Sequence, residues 1–105
     1  MLWENPLGPQ VQILKANSIV RANVSGFDFS NANFSGRDLS GTQFDSATSS
    51  AADFSNTTLS NASLVGAVLT AANLSNTELS DVNLDQDNLT GATLTGVNLH
   101  QALLP

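Results

Sequence analysis

The 105-residue chain has no cysteine and no tyrosine, and its three basic residues, Lys15, Arg21 and Arg37, all lie within the first 37 residues. Without cysteine there are no disulfide staples, no thiolate zinc sites and no thiol nucleophile. With so few cations, direct contact with nucleic-acid phosphates lacks its usual donors. No apolar run approaches the ~18 residues of a membrane span, and the N-terminus lacks the cationic start and apolar core of a secretory signal. A soluble, cytoplasmic chain without a membrane partner is the expectation. Charged residues are scarce, at 11% against about 25% in ordinary soluble domains. Yet 41% of the residues are hydrophobic, which sets the chain apart from disordered segments. The formal charge of -6 is uneven: residues 1–37 carry three bases against Glu4 and Asp28, whereas residues 38–105 carry seven acids and no base.

What the chain does have is a period of five. Residues 52–76 divide into Ala-Asp-Phe-Ser-Asn, Thr-Thr-Leu-Ser-Asn, Ala-Ser-Leu-Val-Gly, Ala-Val-Leu-Thr-Ala and Ala-Asn-Leu-Ser-Asn, with a large apolar residue at each third place. A helix turns by about 500° over five residues, so successive leucines would land about 140° apart and share no face. In a strand the first and third places point the same way, but the odd step into the next repeat breaks the alternation. The chain must bend once per repeat, with first and third places inward and the others outward. The frame starts weakly at Gln12 and runs without insertion from Ala22 to Pro105. Its centres run from Val24 to Leu104, and Ser49 alone among them is not apolar. Second and fourth places are mostly Asn, Asp, Ser or Thr, and Gly recurs at the fifth. Residues 1–11, with Pro6, Gly8, Pro9, Trp3 and Leu7, stand outside the frame and read as an N-terminal cap; residues 12–105 form the single repeat domain.

Ala32-Asn33-Phe34-Ser35-Gly36, Ala52-Asp53-Phe54-Ser55-Asn56 and Ala72-Asn73-Leu74-Ser75-Asn76 match Ala-Asp/Asn-Leu-x-x, and the chain resembles the pentapeptide-repeat family over about nine-tenths of its length. The resemblance implies an all-β fold, a right-handed quadrilateral β-helix with four repeats per coil and about five coils. Residues twenty apart then stack. One column of centres is Phe34, Phe54, Leu74 and Leu94; another is Phe29, Ser49, Leu69 and Leu89. Ser49 falls over Phe29 and Ala47 over Phe27, small residues after large ones, as close packing requires. Ser49 is therefore read as core and not as a nucleophile, with no His or Lys near it in the pattern.

Two charges occupy inward places, Arg37 and Asp87, about two and a half coils apart. Arg37 is expected to reach a cap group such as Glu4 or exposed backbone carbonyls, and Asp87 to look out of the C-terminal end. Glu78, Asp81, Asp85 and Asp87 form the one acidic cluster, but they sit on successive sides and cannot converge as a hard-cation cage; without a cleft they form no acid-base pair either. His100 falls at an outward place. The Asn-x-Ser/Thr sequons at Asn23, Asn33, Asn56, Asn61, Asn73 and Asn88 arise from the repeat itself. No catalytic, cofactor-binding or metal residue is expected, and no cofactor. The chain reads as a non-enzymatic surface for binding or scaffolding another protein.

The alternative is the DNA-mimic role of some family members, inhibition or protection of a type II topoisomerase such as DNA gyrase. The acidity fits in sign. In magnitude, five coils at ~4.8 Å should match roughly fourteen DNA charges at one per ~1.7 Å, and residues 38–105 offer seven. Regular polar columns such as Ser40, Ser60 and Ser80 raise ice binding as a third class, but a Thr-x-Thr face is present only at Thr93 and Thr95. Leu103, Leu104 and Pro105 place apolar groups on the last coil, where homodimerisation end to end is expected.

Overall fold

The structure is a computed structural model describing residues 20–105. The cap over residues 1–11, the weak start of the repeat at Gln12 and Glu4, the suggested partner of Arg37, lie outside the described residues.

Each repeat occupies one side of a four-sided coil. Parallel bridges join second-place residues twenty apart: Asn23 to Gln43, Asp28 to Thr48, Asn33 to Asp53 and Asp38 to Thr58, and so on to Asn83 and Leu103. Four ladders therefore run the length of the described residues. Side 1 carries the pentads that begin at residues 22, 42, 62, 82 and 102, side 2 those at 27, 47, 67 and 87, side 3 those at 32, 52, 72 and 92, and side 4 those at 37, 57, 77 and 97. Residues 20–105 make a little over four coils. The all-β expectation needs one refinement: among the described residues no extended strand forms, and each side contributes a single bridge residue between two turns. Five residues leave no room for more.

The corner is where the period of five is built. The centre's carbonyl accepts a hydrogen bond from the N–H three residues on, as in Ala32 to Phe29 (2.9 Å) and Ala67 to Leu64 (2.9 Å). Every fifth-place residue from Arg21 to Gln101 has φ between 58° and 75°, which is the requirement at the third position of a type II turn. Glycine fits there without strain, yet Ala51, Ala71, Gln86 and others adopt the same left-handed conformation.

Other backbone groups bond between coils. The centre N–H of Phe34 donates to Asp53 O (2.7 Å), the second-place N–H of Asp53 to Ala32 O (2.8 Å), and the fifth-place N–H of Gly36 to Ser55 O (2.9 Å). The fourth-place N–H is left, and an outward side chain takes it: Asn33 Oδ1 accepts from Ser35 N–H at 2.9 Å, Asp53 from Ser55 at 2.9 Å and Asn73 from Ser75 at 3.0 Å. These are Asx turns. With them each kind of backbone donor in the repeat has a partner, as a solenoid of turns needs.

Centres and first places fill the interior. Phe29, Phe34, Phe44 and Phe54 are buried and touch one another, with Phe34 and Phe54 stacked at 5.0 Å and Phe29 edge-on to Phe34 at 5.2 Å. Beyond them the core is leucine: Leu59, Leu64, Leu69, Leu74, Leu79 and Leu84 are all buried. Of the proposed core columns, Phe29, Phe34, Ser49, Phe54, Leu69 and Leu74 lie inside, and Leu89 is half-buried. Leu94 departs from the expectation, at 40% exposed. Its column has no residue twenty further on within this sequence to cover it.

Candidate functional site

The outward acids are engaged by the repeat itself. Asp38 Oδ1 accepts from the N–H of Ser40 at 3.0 Å and from its hydroxyl at 2.6 Å. Asp53 does the same with Ser55, and Glu78 with Ser80, adding Asn98 Nδ2 at 3.2 Å. The Ser40 and Ser55 hydroxyls hold the Asp38 and Asp53 carboxyls below the usual carboxylate range, the Ser80 hydroxyl does so for Glu78, and the Ser30 N–H does so for Asp28. Donors aimed at the ionised form favour it. These groups are fixed negative charges and poor proton donors. Asp45 serves the next coil instead, accepting from the Ser63 hydroxyl and from Val65 N–H at 3.1 Å.

The sequence cluster Glu78, Asp81, Asp85 and Asp87 is not brought together. Glu78 lies along side 4, Asp81 at the corner between sides 4 and 1 and Asp85 on side 1, while Asp87 points inward from side 2. Among the described residues no group of three or more His, Asp or Glu is arranged to hold a metal ion. His100 is exposed on side 4, and its N–H donates to Asn98 Oδ1 at 3.0 Å.

Asp87 corrects an expectation. It does not look out of the C-terminal end: it is only 9% exposed and turns back to accept from Ala67 N–H, in the coil beneath, at 3.0 Å. Its second oxygen is buried without a partner. Burial, opposed by the Ala67 bond and reinforced by Asp45 and Asp85, pushes its carboxyl up to about 7. Arg37 is half-buried, its guanidinium 5.9 Å from the Phe34 ring centre, a cation over an aromatic face.

Charge is sorted by side. Asp38, Glu78 and Asp81 belong to side 4, which also carries Arg21 and Arg37 in its first coils, and Asp45 and Asp85 to side 1. Sides 2 and 3 carry Asp28 and Asp53 in the first coils and, from residue 54 onward, no outward charge. Side 2 there presents Val68, Thr70, Ala71, Asn88 and Thr90; side 3 presents Asn73, Ser75, Asn76, Thr93 and Thr95. Sequence reasoning missed the turn-capping role of the second place. The signal was present as Asn or Asp followed two places later by Ser or Thr, the spacing of an Asx turn.

No helix among the described residues is long and apolar enough to cross a membrane. No curated protein matches the chain in sequence. Among solved structures, alr5209, a pentapeptide repeat protein from Nostoc PCC 7120, is similar with a TM-score of 0.75 and 24% identity, over 91% of this chain and 93% of that one. Rfr23, a pentapeptide repeat protein from the cyanobacterium Cyanothece 51142, gives 0.57 and 23% over 84% of this chain; this chain spans 64% of that protein. QnrB1, a plasmid-mediated fluoroquinolone resistance protein, gives 0.50 and 19% over 81% of this chain and 64% of its own. These identities speak to fold alone. The family model for pentapeptide repeats matches eight copies over residues 20–48 and 50–86. With that match and with bridges at intervals of twenty residues on all four sides, the chain belongs to the pentapeptide repeat family.

Proposed function

We propose that the protein is a non-enzymatic, right-handed β-solenoid whose walls serve as a binding or scaffolding surface for another protein, with residues 12–105 as one domain. The right hand is the one that connections between parallel strands almost always take. The observation that carries the reading is the state of the outward carboxylates. Asp28, Asp38, Asp53 and Glu78 are held ionised by turn donors, so they are unsuited to general acid catalysis near neutral pH, and the raised carboxyl, Asp87, faces inward. What the walls offer is a rigid pattern of fixed charge: acidic along sides 4 and 1, uncharged along sides 2 and 3 beyond the first coils. A partner with a basic surface fits sides 4 and 1. The test is affinity capture from the source organism with the wild type and with a Glu78→Gln, Asp81→Asn, Asp45→Asn, Asp85→Asn variant. A partner retained by the wild type and lost by the variant is expected; a catalytic turnover traced to the chain would overturn the reading.

The DNA-mimic reading, action on DNA gyrase, has in its favour the acidity of sides 4 and 1 and a fold shared with a fluoroquinolone resistance protein. Asp87 weakens it, since one of the seven acids of residues 38–105 does not reach the surface. Absence of any effect on gyrase supercoiling at micromolar protein would discard it. Self-association belongs to this proposal too. Leu94, Leu99, Leu103 and Leu104 are 37–60% exposed and gather on the last coil, where a second copy would cover them. Sedimentation of the wild type should show a dimer that a Leu103→Lys, Leu104→Lys variant loses; a monomer in both refutes the interface.

A further inference from the structure

The inward first places are lined by Ala, Val and Thr along most of the coil, and the Thr57 and Thr77 hydroxyls there both find a carbonyl, donating to Phe54 O at 2.7 and 2.9 Å. Asp87 breaks that pattern. Its column is Phe27, Ala47, Ala67 and Asp87. One carboxyl oxygen takes the Ala67 N–H, which already donates to Leu64 O, and the other is buried with no partner. The charged groups that bear on it are Asp45 and Asp85, both acids of side 1, and no Lys or Arg follows Arg37 in the sequence. Among the described residues no cation stands beside the carboxylate, and the single Ala67 N–H bond offsets only part of the cost of burying the charge.

The same residue sits where the apolar core thins. Beneath it Leu64, Leu69 and Leu84 are buried, whereas Leu89 is half-buried and Leu94 and Leu99 are exposed. The coil over residues 85–105 packs Leu89, Ala92 and Val97 on the core with these side chains only partly buried, and it is tied to the one below by ladder bonds, among them Leu69 N–H to Asn88 O (2.9 Å), Ala71 to Thr90 (2.8 Å), Leu74 to Thr93 (2.8 Å), Asn76 to Thr95 (2.8 Å) and Leu79 to Asn98 (2.9 Å). Local opening takes place where few buried apolar contacts oppose it.

From this geometry we infer that Asp87 is a proton-operated latch for the coil over residues 85–105. With the carboxyl protonated, the corner at residues 86–88 stays folded on Ala67 and the coil over residues 85–105 stays packed. With the carboxylate ionised, hydration of the charge is won by lifting that corner, and the coil opens. The link between proton and opening follows from the two states' affinities: the closed coil holds the proton up to about pH 7, whereas an open, solvated Asp releases it near pH 4. Closure therefore weakens as pH rises between those values, by up to about tenfold per pH unit, and levels off above them.

Amide hydrogen exchange reads this directly. Protection of the Leu69, Ala71, Leu74, Asn76 and Leu79 amides, corrected for the intrinsic pH dependence of exchange, should fall between pH 4.5 and 7.5 in the wild type. Protection of Phe34, Leu39 and Phe44, in the first coils, should fall far less. Asp87→Asn, which keeps the acceptor for Ala67 and cannot ionise, should flatten the profile and raise protection at pH 7.5. The latch is overturned if Asp87→Asn retains the wild-type slope. It is equally overturned if, in the wild type alone, the loss is uniform from Phe34 to Leu79, a readout that does not depend on the variant folding.

Discussion

Ser49 is a hydroxyl placed where every other centre from Val24 to Leu104 is Val, Phe or Leu. It is 1% exposed, its backbone N–H is bonded to Val68 O at 2.7 Å, and its Oγ has no partner. A serine kept for hydrogen bonding would not be left so. We propose that the residue is small because Phe29 stands twenty places before it; the Phe29 ring is packed among Phe27 (5.8 Å), Phe34 (5.2 Å) and Phe44 (5.9 Å). Two substitutions separate polarity from volume. Ser49→Ala removes an unsatisfied buried group and should be neutral or stabilise by about 1 kcal/mol. Ser49→Leu restores the repeat's consensus but should cost on the order of 1 to 3 kcal/mol by overpacking. Denaturant melts measure both, and a Leu variant more stable than wild type would sink the packing account. Arg37 shows the same scale differently: its charge at an inward place is tolerated with the guanidinium over the Phe34 ring.

The element of this protein is the corner. Its fifth place is left-handed at every repeat from Arg21 to Gln101, whatever the side chain, and non-glycine residues pay roughly 1–2 kcal/mol there, partly offset by the 0.5–1 kcal/mol that glycine loses through its freer unfolded chain. Ala71 and Ala72 are neighbours with opposite consequences. Ala71, exposed at φ 60°, should gain about 0.5–1 kcal/mol on change to Gly. Ala72, 0% exposed in the core, should lose about 1–2 kcal/mol from the buried methyl and the added chain entropy. Thermal melts of the two variants check the pair, and a destabilised Ala71→Gly would mean that the corner carries no strain. This level of structure was only half legible in the sequence. The bend after every fifth residue followed from a period that suits neither helix nor strand, and the recurrence of Gly26, Gly36, Gly41, Gly66, Gly91 and Gly96 marked its place. The left-handed backbone at Arg21 or Gln86 was not readable, because those residues avoid it in isolation and adopt it only when the ladders on either side fix the corner. The second-place Asn and Asp are outward polar residues in the pattern, and their service to the fourth-place N–H is visible only with the turn. The direction of Asp87 was hidden for a similar reason: the pattern said inward, but not that the carboxyl would turn back to Ala67.

At the scale of the whole molecule, two sets of carboxylates pull stability in opposite directions with pH. Asp28, Asp38, Asp53 and Glu78 have folded-state values below their ordinary ones. Their contribution is present above the unfolded pKa near 4 and is lost as pH falls through the lowered values. Asp87, raised to about 7 by burial, has the other sign: its favourable protonated state is fully present below about pH 4 and is lost as pH rises from there to about 7. The net charge of -6, with no base beyond Arg37, adds self-repulsion that also grows as the acids ionise. Stability should therefore peak on the acid side, between about pH 4 and 5, and decline toward neutrality, although most soluble domains are at their best between about 5 and 8. Denaturant midpoints from pH 3 to 8 trace the curve. Repulsion and latch are told apart by two variants of equal charge change: Asp87→Asn should abolish most of the decline between pH 4 and 7, whereas Asp81→Asn, at an exposed corner, should leave its shape intact. If the two variants shift the curve alike, the decline belongs to net charge and the inward carboxyl has no special weight; if the Asp87 variant alone flattens it, one misplaced acid in a wall of repeats sets the pH at which this solenoid is firmly closed.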